Sequence, residues 1–349
     1  MKKIVIAGGG IAALVLAKNL EKSQNVEITL VEPKDYFEVP YAQLRALVEP
    51  DSFSRTIRAP YGELLKEVTH IRKKAERIAE DTLVLADGST ESFDFLVLAT
   101  GSGFSRWPFL KSGISDMESR QKQVEKESEI LQKAESVLIV GGGSVGVELA
   151  GEIAYTWPHK KISLVTGSDR LMKELDKKAS RRAHTLLSGL GVEIRYNTRI
   201  DEKSDGVWKN DQGDIFSADV IYPVTGSTVN SGWLESSGIP LNERKAVCVD
   251  NHLRVKGYDS IFAIGDINDV AEQKLGALAT KQANVASKNI LKLIADQKAP
   301  LLIYKPAKAM GFIPIGQKKG VVQISSMHPN FLISMKQRDL FVSMYIKNR

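Results

Sequence analysis

The chain opens Lys2-Lys3-Ile4-Val5-Ile6-Ala7-Gly8-Gly9-Gly10-Ile11-Ala12-Ala13. Ile4 to Ala7 is a short apolar run, the pattern of a strand buried on both faces of a parallel sheet. The run breaks at Gly8-x-Gly10-x-x-Ala13 and resumes with helical spacing through Leu14, Leu16, Ala17 and Leu20. That order is strand, glycine turn, helix. Gly8 permits the tight turn, Gly10 lets a pyrophosphate approach bare backbone, and small Ala13 lets helix and strand pack closely. The phosphates would sit on the free N–H groups and positive dipole end of the helix, which makes Gly8, Gly9, Gly10, Ile11, Ala12 and Ala13 the candidate binding residues. A second strand, Val26 to Val31, ends on Glu32, 24 residues after Gly8. A carboxylate there is placed to accept hydrogen bonds from a ribose 2′-hydroxyl. The stretch reads as a dinucleotide site.

The opening pattern recurs 133 residues later. Ser136 to Val140 leads into Gly141-Gly142-Gly143-Ser144-Val145-Gly146-Val147-Glu148, and Leu149, Ile153 and Ala154 continue a helix. Its own second strand is Lys161 to Val165. Two further strands end alike, Phe93 to Ala99 on Thr100-Gly101 and Asp219 to Val224 on Thr225-Gly226. A last strand, Ser260 to Ile264, stops on Gly265-Asp266 before a long amphipathic helix, Leu275 to Ala295. Between these elements, Tyr61 to Val68 reads as helical, and Lys73 to Gly88 as strand and hairpin with Asp87-Gly88 as a turn. Ser119 to Lys133 reads as helix. The expected fold class is α/β, two Rossmann-like doubly wound domains plus a small C-terminal domain with glycine turns at 311, 316 and 320.

At 349 residues the chain exceeds what one core usually serves. The lone Cys248 excludes internal disulfides and a Cys-x-x-Cys pair, and its apolar neighbours suggest a buried strand thiol. Met-Lys-Lys runs straight into the first strand, without a signal or transit segment. Lys2 is not the glycine that myristoylation needs, no cysteine near the C-terminus invites prenylation, and no apolar stretch spans a bilayer. These features point to a reducing, cytoplasmic setting. The net charge of +6 is uneven: residues 300–349 hold eight Lys or Arg against one acid, Asp339, so the rest of the chain is about −1. The five histidines form no metal-ligand spacing, and no metal is expected.

Taken together and in this order, the first fingerprint with Glu32, Ala99-Thr100-Gly101, the second fingerprint with Glu148 and Ile264-Gly265-Asp266 resemble the two-dinucleotide-binding-domain flavoproteins. The resemblance implies FAD at the first fingerprint and NADH or NADPH at the second, with the second domain inserted into the first. The implied domains are an FAD domain of 1–108 and 246–306, an NAD(P)H domain of 109–245, and a C-terminal segment, 307–349, near flavin, quinone and membrane. Asp266 matches the aspartate that bonds the ribityl chain. Disulfide reductases of this family carry a Cys-x4-Cys pair where Tyr41 to Val48 has none, which excludes that branch. Within the family the chain bears a closer resemblance to the ferroptosis-suppressor proteins, NAD(P)H:quinone reductases resembling apoptosis-inducing factor. It shares with them Lys34-Asp35, Leu44-Arg45-Ala46, the glycine-rich second fingerprint, Ala263-Ile264-Gly265-Asp266 and Lys336-x-Arg338-Asp339-Leu340-Phe341-Val342-Ser343. By this similarity Lys34, Arg45 and the backbone near Lys73 contact FAD, with Thr100, Gly101 and Gly226 among the cofactor-binding turns, and the tail closes the flavin pocket where quinone enters.

The implied chemistry passes a hydride from NAD(P)H to flavin and then electrons to a quinone, with the protein orienting, tuning and shielding. Gly141, Gly143 and Gly146 would hold the nucleotide. Glu148 would position the nicotinamide; as a plain surface acid it would serve the helix N-terminus. Lys274, before the long helix, is suited to stabilise negative charge on reduced flavin, and Lys336 and Phe341 to line the pocket. The second domain's counterpart of Glu32 is Thr166, which does not repel a 2′-phosphate; Arg170 could pair with one, and use of both NADH and NADPH is expected. The basic tail is compatible with weak contact to an anionic membrane, at about 1 kcal/mol per cation in reach. It is equally compatible with an acidic protein acceptor such as a ferredoxin, or, least favoured, with nucleic acid. Self-association stays open.

Overall fold

The structure, a computed structural model, describes residues 1–203 and 206–346; Lys347 and Arg349 of the basic tail lie outside the described residues. The opening strand Lys2–Ala7 lies inside a five-stranded parallel sheet ordered Ile261–Ala263, Phe95–Leu98, Lys2–Ala7, Val26–Val31, Val68–Ile71. Both faces are covered, which is why the strand reads as continuously apolar. Ile4 and Ile6 pack under helices Ile11–Leu20 and Gly276–Ala295, while Val5 and Ala7 point to Ile78, Leu83 and Leu85 of a three-stranded antiparallel meander. The sheet thus draws its strands from both sides of the second fingerprint.

The second sheet repeats the plan. Glu193–Arg195, Lys161–Val165, Ser136–Val140 and Val220–Pro223 run parallel in that order. Helices Ser144–Thr156 and Lys177–Ser188 cover one face; the other packs on Trp208, from a second antiparallel meander. The duplication therefore extends past the fingerprints to the meander behind each sheet. Two connectors run side by side between the sheets, Ser102–Phe104 pairing antiparallel with Ser227–Val229. Asn230 clasps the Thr100-Gly101 turn, its N donating to Gly101 O at 2.9 Å and its Nδ2 to Thr100 O at 3.0 Å.

The tail forms a hairpin, Met310–Ile315 with Lys319–Ile324, laid on the helical face of the second unit. Contact is backbone-close: a Cβ on Gly151 of helix Ser144–Thr156 would lie 2.8 Å from Gly316 N and Ile315 Cα. Gly316 turns the hairpin at φ +61, but Gly311 and Gly320 are not turns. They lie within strands, and a Cβ on Gly320 would come 2.4 Å from Ile313 O. Two further expectations shift. The helix expected over Tyr61 to Val68 is one turn, Tyr61–Leu64, and Val68–Ile71 is the edge strand of the first sheet. Only half-buried, that strand lacks the apolar run of its neighbours. Cys248 is half-buried and outside any strand, between isolated bridges at Val247 and Val249. No helix among the described residues is long and apolar enough to cross a membrane.

The crossover helix Met117–Lys133, capped by Asp116, leans back on the first unit through buried Arg120 and Gln121, the latter bonded to Ser54, Arg58 and Pro50 O. Arg120 is fully buried; it donates to Glu38 at 3.0 Å, to Gln43 and Phe109 O at 2.8 Å each, and to Gln123 at 2.6 Å. Arg58 also pairs with Glu38. Burial alone would push the Glu38 carboxyl up, but Arg120 and Arg58 outweigh it and hold the pKa below the ordinary value. Glu38→Ala leaves two buried guanidinium groups short of a counter-charge and should cost about 3–5 kcal/mol in urea unfolding. Because the native pKa is depressed, the carboxylate's contribution is complete above the usual glutamate range of about 4.3 and fades as pH falls below it. The stability difference between wild type and variant should therefore shrink on acidification, and a pH-independent gap would assign the loss to packing alone.

Candidate functional site

Each sheet presents a glycine cradle at the carboxyl end of its first strand. Gly8 (φ +100) and Gly141 (φ +130) adopt backbone that side chains resist, and a Cβ would lie 2.6 Å from Ala99 O or 2.8 Å from Thr225 Cγ2. Gly9 is wedged against Tyr61 and Glu32, Gly142 against Thr166, and Gly146 against Gly141 O. Ala13 takes the position matching Gly146 and is buried. Gly10 and Gly143 differ from all of these: a Cβ on either would meet nothing within 4 Å. An open middle glycine directly before a helix start leaves space for a pyrophosphate at the positive end of each helix, although at the second Ser144 N already donates to Glu174. Both cradles fit a dinucleotide.

Around the first cradle, Glu32 accepts from Gly9 N at 2.7 Å and from Lys34 N at 3.1 Å, which holds the carboxylate over the turn. Tyr61 Oη donates to Gly9 O at 2.6 Å. Ile11 and Ala12 are buried at the helix start, and Ala12 sits beneath Gly265. The Gly265-Asp266 turn is locked by Gln282, whose Oε1 accepts from Gly265 N and Asn268 Nδ2 at 2.7 Å each. Asp266 is bonded by Lys111 Nζ at 2.8 Å and Ser102 Oγ at 2.7 Å. Burial raises its pKa, but Lys111 and the two hydrogen bonds more than offset that, so the carboxyl sits below its usual range. Lys274 donates to Asn268 O at 2.8 Å; burial pushes its ammonium down, with Asp266 opposing.

The second fingerprint helix carries a buried acidic stripe, Glu148 and Glu152, one turn apart. Arg45 from helix Gln43–Val48 grips Glu152 with two bonds, at 2.6 and 2.8 Å. Lys336 from the tail helix Ile333–Gln337 reaches Glu148 at 3.0 Å, donates to Phe312 O at 2.7 Å and lies 5.4 Å from the Tyr41 ring centre. Burial raises both carboxyl pKa values, with Lys336 and Arg45 acting against the shift. Phe341 packs edge-on to Phe312, rings 6.1 Å apart. The tail then returns to the first unit, where Lys18 donates to Tyr345 O at 3.0 Å and Thr280 meets Tyr345 Oη at 3.1 Å.

The structure thus brings Glu148 and Lys336 together with Tyr41, sets Phe341 against Phe312 beside Lys336, and gathers Gly8 to Ala13, Glu32, Lys34, Asp266 and Lys274 around the first cradle. Arg45 turns its guanidinium to Glu152, and Lys73 turns its side chain outward to Asp87 at 2.6 Å. Thr166 lies buried under Gly142, and Thr100, Gly101 and Gly226 lie on the connectors. Arg170, considered for a 2′-phosphate, donates instead to Leu175 O at 2.8 Å and Lys173 O at 3.0 Å. Sequence reasoning missed Tyr41, Tyr61, Lys111, Glu152 and Gln282. Only Glu152 left a signal, four residues beyond Glu148 on an otherwise apolar helix face.

Paired glycine cradles on duplicated parallel sheets define an α/β oxidoreductase of the pyridine nucleotide class. A family model described as pyridine nucleotide-disulphide oxidoreductase matches residues 2–289, and the chain belongs to that family. It is an oxidoreductase that uses FAD and NAD(P)H. Among curated proteins it is 30% identical to Ferroptosis suppressor protein 1 of Homo sapiens, over 97% of this chain and 94% of that one. Apoptosis-inducing factor homolog A of Dictyostelium discoideum is also 30% identical, over 93% and 85%. The water-forming NADH oxidase from Lactobacillus brevis, solved bound to NADH, shares the fold with a TM-score of 0.74 at 18% identity, covering 92% of this chain and 75% of that one.

The two open glycines give a direct assignment of the cradles. Gly10→Leu should purify folded but colourless, and Gly143→Leu should stay yellow while losing nucleotide binding, as read by absorbance at 450 nm and by titration with NAD⁺. A yellow Gly10→Leu protein would reverse the assignment.

Proposed function

We propose that this chain is an NAD(P)H:quinone oxidoreductase. The reading rests on one observation: the buried Glu148–Lys336 pair, which joins the second cradle's helix to the tail under the Tyr41 ring and beside Phe341 and Phe312. Residues 188 positions apart converge there from the two motifs that the resemblance singled out. The similarity to Ferroptosis suppressor protein 1 over nearly the whole chain supports the same reading.

Bound FAD supplies the relay between nicotinamide and acceptor. The chain's own residues supply position and field. Gly8 to Ala13, Glu32 and Asp266 hold the flavin dinucleotide, and Gly141, Gly143 and Gly146 the nicotinamide nucleotide. Glu148, held by Lys336, is a fixed buried acceptor for a donor on the nicotinamide side. Lys274 and the N-terminus of helix Gly276–Ala295 offer positive charge where reduction adds negative charge. With no cysteine couple, the electrons leave to a diffusing acceptor.

The tail favours an acceptor dissolved in lipid over a docked protein. Phe331 and Met335, one helical turn apart, are 77% and 57% exposed, and Arg338 follows on the same face. An apolar face edged by cations suits weak, salt-sensitive contact with an anionic membrane surface.

NADH oxidation should accelerate with a short-chain ubiquinone or menaquinone and not with ferredoxin; no acceleration by any quinone refutes the reading. Phe341→Ala should keep its flavin spectrum and lose about tenfold or more in quinone turnover, roughly 1.4 kcal/mol of barrier. Full turnover in that variant would remove the tail aromatic from the mechanism.

Thr166 places no carboxylate at the ribose, and Arg170 is committed to its own loop, so neither nucleotide is strongly selected. Steady-state kcat/KM for NADH and NADPH should agree within about a hundredfold, ~2.7 kcal/mol. A larger preference would point to a selecting residue elsewhere.

A further inference from the structure

The two cradles differ in what already occupies the start of their helices. At the first, the nearby carboxylate, Glu32, bonds the turn itself through Gly9 N and Lys34 N. At the second, an exposed carboxylate, Glu174, reaches over the helix start, where it accepts from Ser144 N at 3.0 Å and from Ser144 Oγ in a close contact. Ser144 is the first residue of helix Ser144–Thr156 and follows the open Gly143. An anion thus sits on the N–H group that a pyrophosphate needs.

Glu174 is held there by its loop. Met172, at φ +47, donates its N to Gly142 O at 2.7 Å, clasping the loop to the glycine turn. Leu171, Met172 and Leu175 are buried, and Arg170 ties Lys173 O and Leu175 O. Glu174 itself is the exposed and movable part, with Lys173 beside it in solvent.

We propose that Glu174 is a built-in competitor for the nucleotide pyrophosphate, setting the affinity of the second cradle for NAD(P)H. This rests on the reading that the second cradle takes the nicotinamide nucleotide. The positive end of one helix stabilises a single anion, and two within contact distance repel. Entering pyrophosphate therefore displaces the carboxylate, and each binding event gives up the Ser144 bonds. The penalty falls equally on ground and transition states, so it raises KM without lowering kcat, and it speeds release of the oxidised nucleotide. It is electrostatic and must weaken with salt.

The test uses the FAD-loaded full chain and ADP-ribose, which carries the pyrophosphate without the nicotinamide. Isothermal titration calorimetry is run on wild type, Glu174→Gln and Gly143→Leu at about 20 mM and about 1 M salt, with thermal unfolding to verify the fold. Glu174→Gln keeps the hydrogen-bonding shape and removes the charge. It should bind about two- to fivefold tighter at low salt, the span of a surface helix-terminus charge, with the advantage nearly gone at high salt. KM for NADH should fall by a similar factor at constant kcat. Binding that is unchanged or weaker in Glu174→Gln, with Gly143→Leu binding abolished, overturns the competitor. Equal binding by Gly143→Leu and wild type overturns the underlying site reading instead.

Discussion

The arrangement depends on two glutamates buried on one face of one helix. Glu148 and Glu152 are 8% and 2% exposed, a turn apart, where two carboxylates would repel and burial would drive both toward neutrality. They are tolerated because a cation arrives from each side, Arg45 from the first unit and Lys336 from the tail. Removing one partner from such a pair costs about 3–5 kcal/mol, since the remaining charge stays buried. The pairs are therefore better viewed as registration than as net stabilisation. They fix the second fingerprint helix against both of its neighbours at once.

That registration organises what lies around it. Gly151, between the two glutamates in sequence, lets the tail hairpin rest on bare backbone. The tail is then long enough to place Lys336 on Glu148 and to finish at Tyr345, against Lys18 and Thr280. The Thr100–Asn230 clasp joins the connectors on the other side. Two copies of one α/β plan are thus locked to each other and to the tail by contacts that run between them.

What was legible in the sequence is what depends on near neighbours. Glycine spacing, the carboxylate after the second strand and the strand-to-helix change of period all act within about 30 residues, so each fingerprint reads locally. What escaped is set by distant chain. Arg45 and Glu152 are 107 positions apart, and Arg120 and Glu38 are 82. Arg45 looks the same in sequence whether its guanidinium faces a cofactor or a glutamate. Gly311 and Gly320 read as turns because glycine signals both a turn and a close approach, and only the packing of Ile313 and Ile333 separates the two. Val68 read as the end of a helix because the edge strand it opens, Val68–Ile71, needs no apolar face.

The tail motif shows how a broken local rule is held in place. Leu340 and Phe341 both adopt left-handed backbone, φ +50 and +56, which costs non-glycine residues on the order of 1–3 kcal/mol each. The strain is held by Asp339, whose carboxylate accepts from Phe341 N at 2.9 Å and Ser343 N at 3.1 Å, while Lys336 O accepts from Leu340 N at 2.6 Å. The sole acid of the last fifty residues is therefore a clamp on backbone. The reversal ends the tail helix abruptly and swings Phe341 back toward Phe312, whose carbonyl already binds Lys336. A relaxed helix would continue past Gln337 and carry the aromatic ring away. The strained pair and the buried ion pair thus serve one geometric end, a lysine and a phenylalanine five residues apart that both meet Phe312.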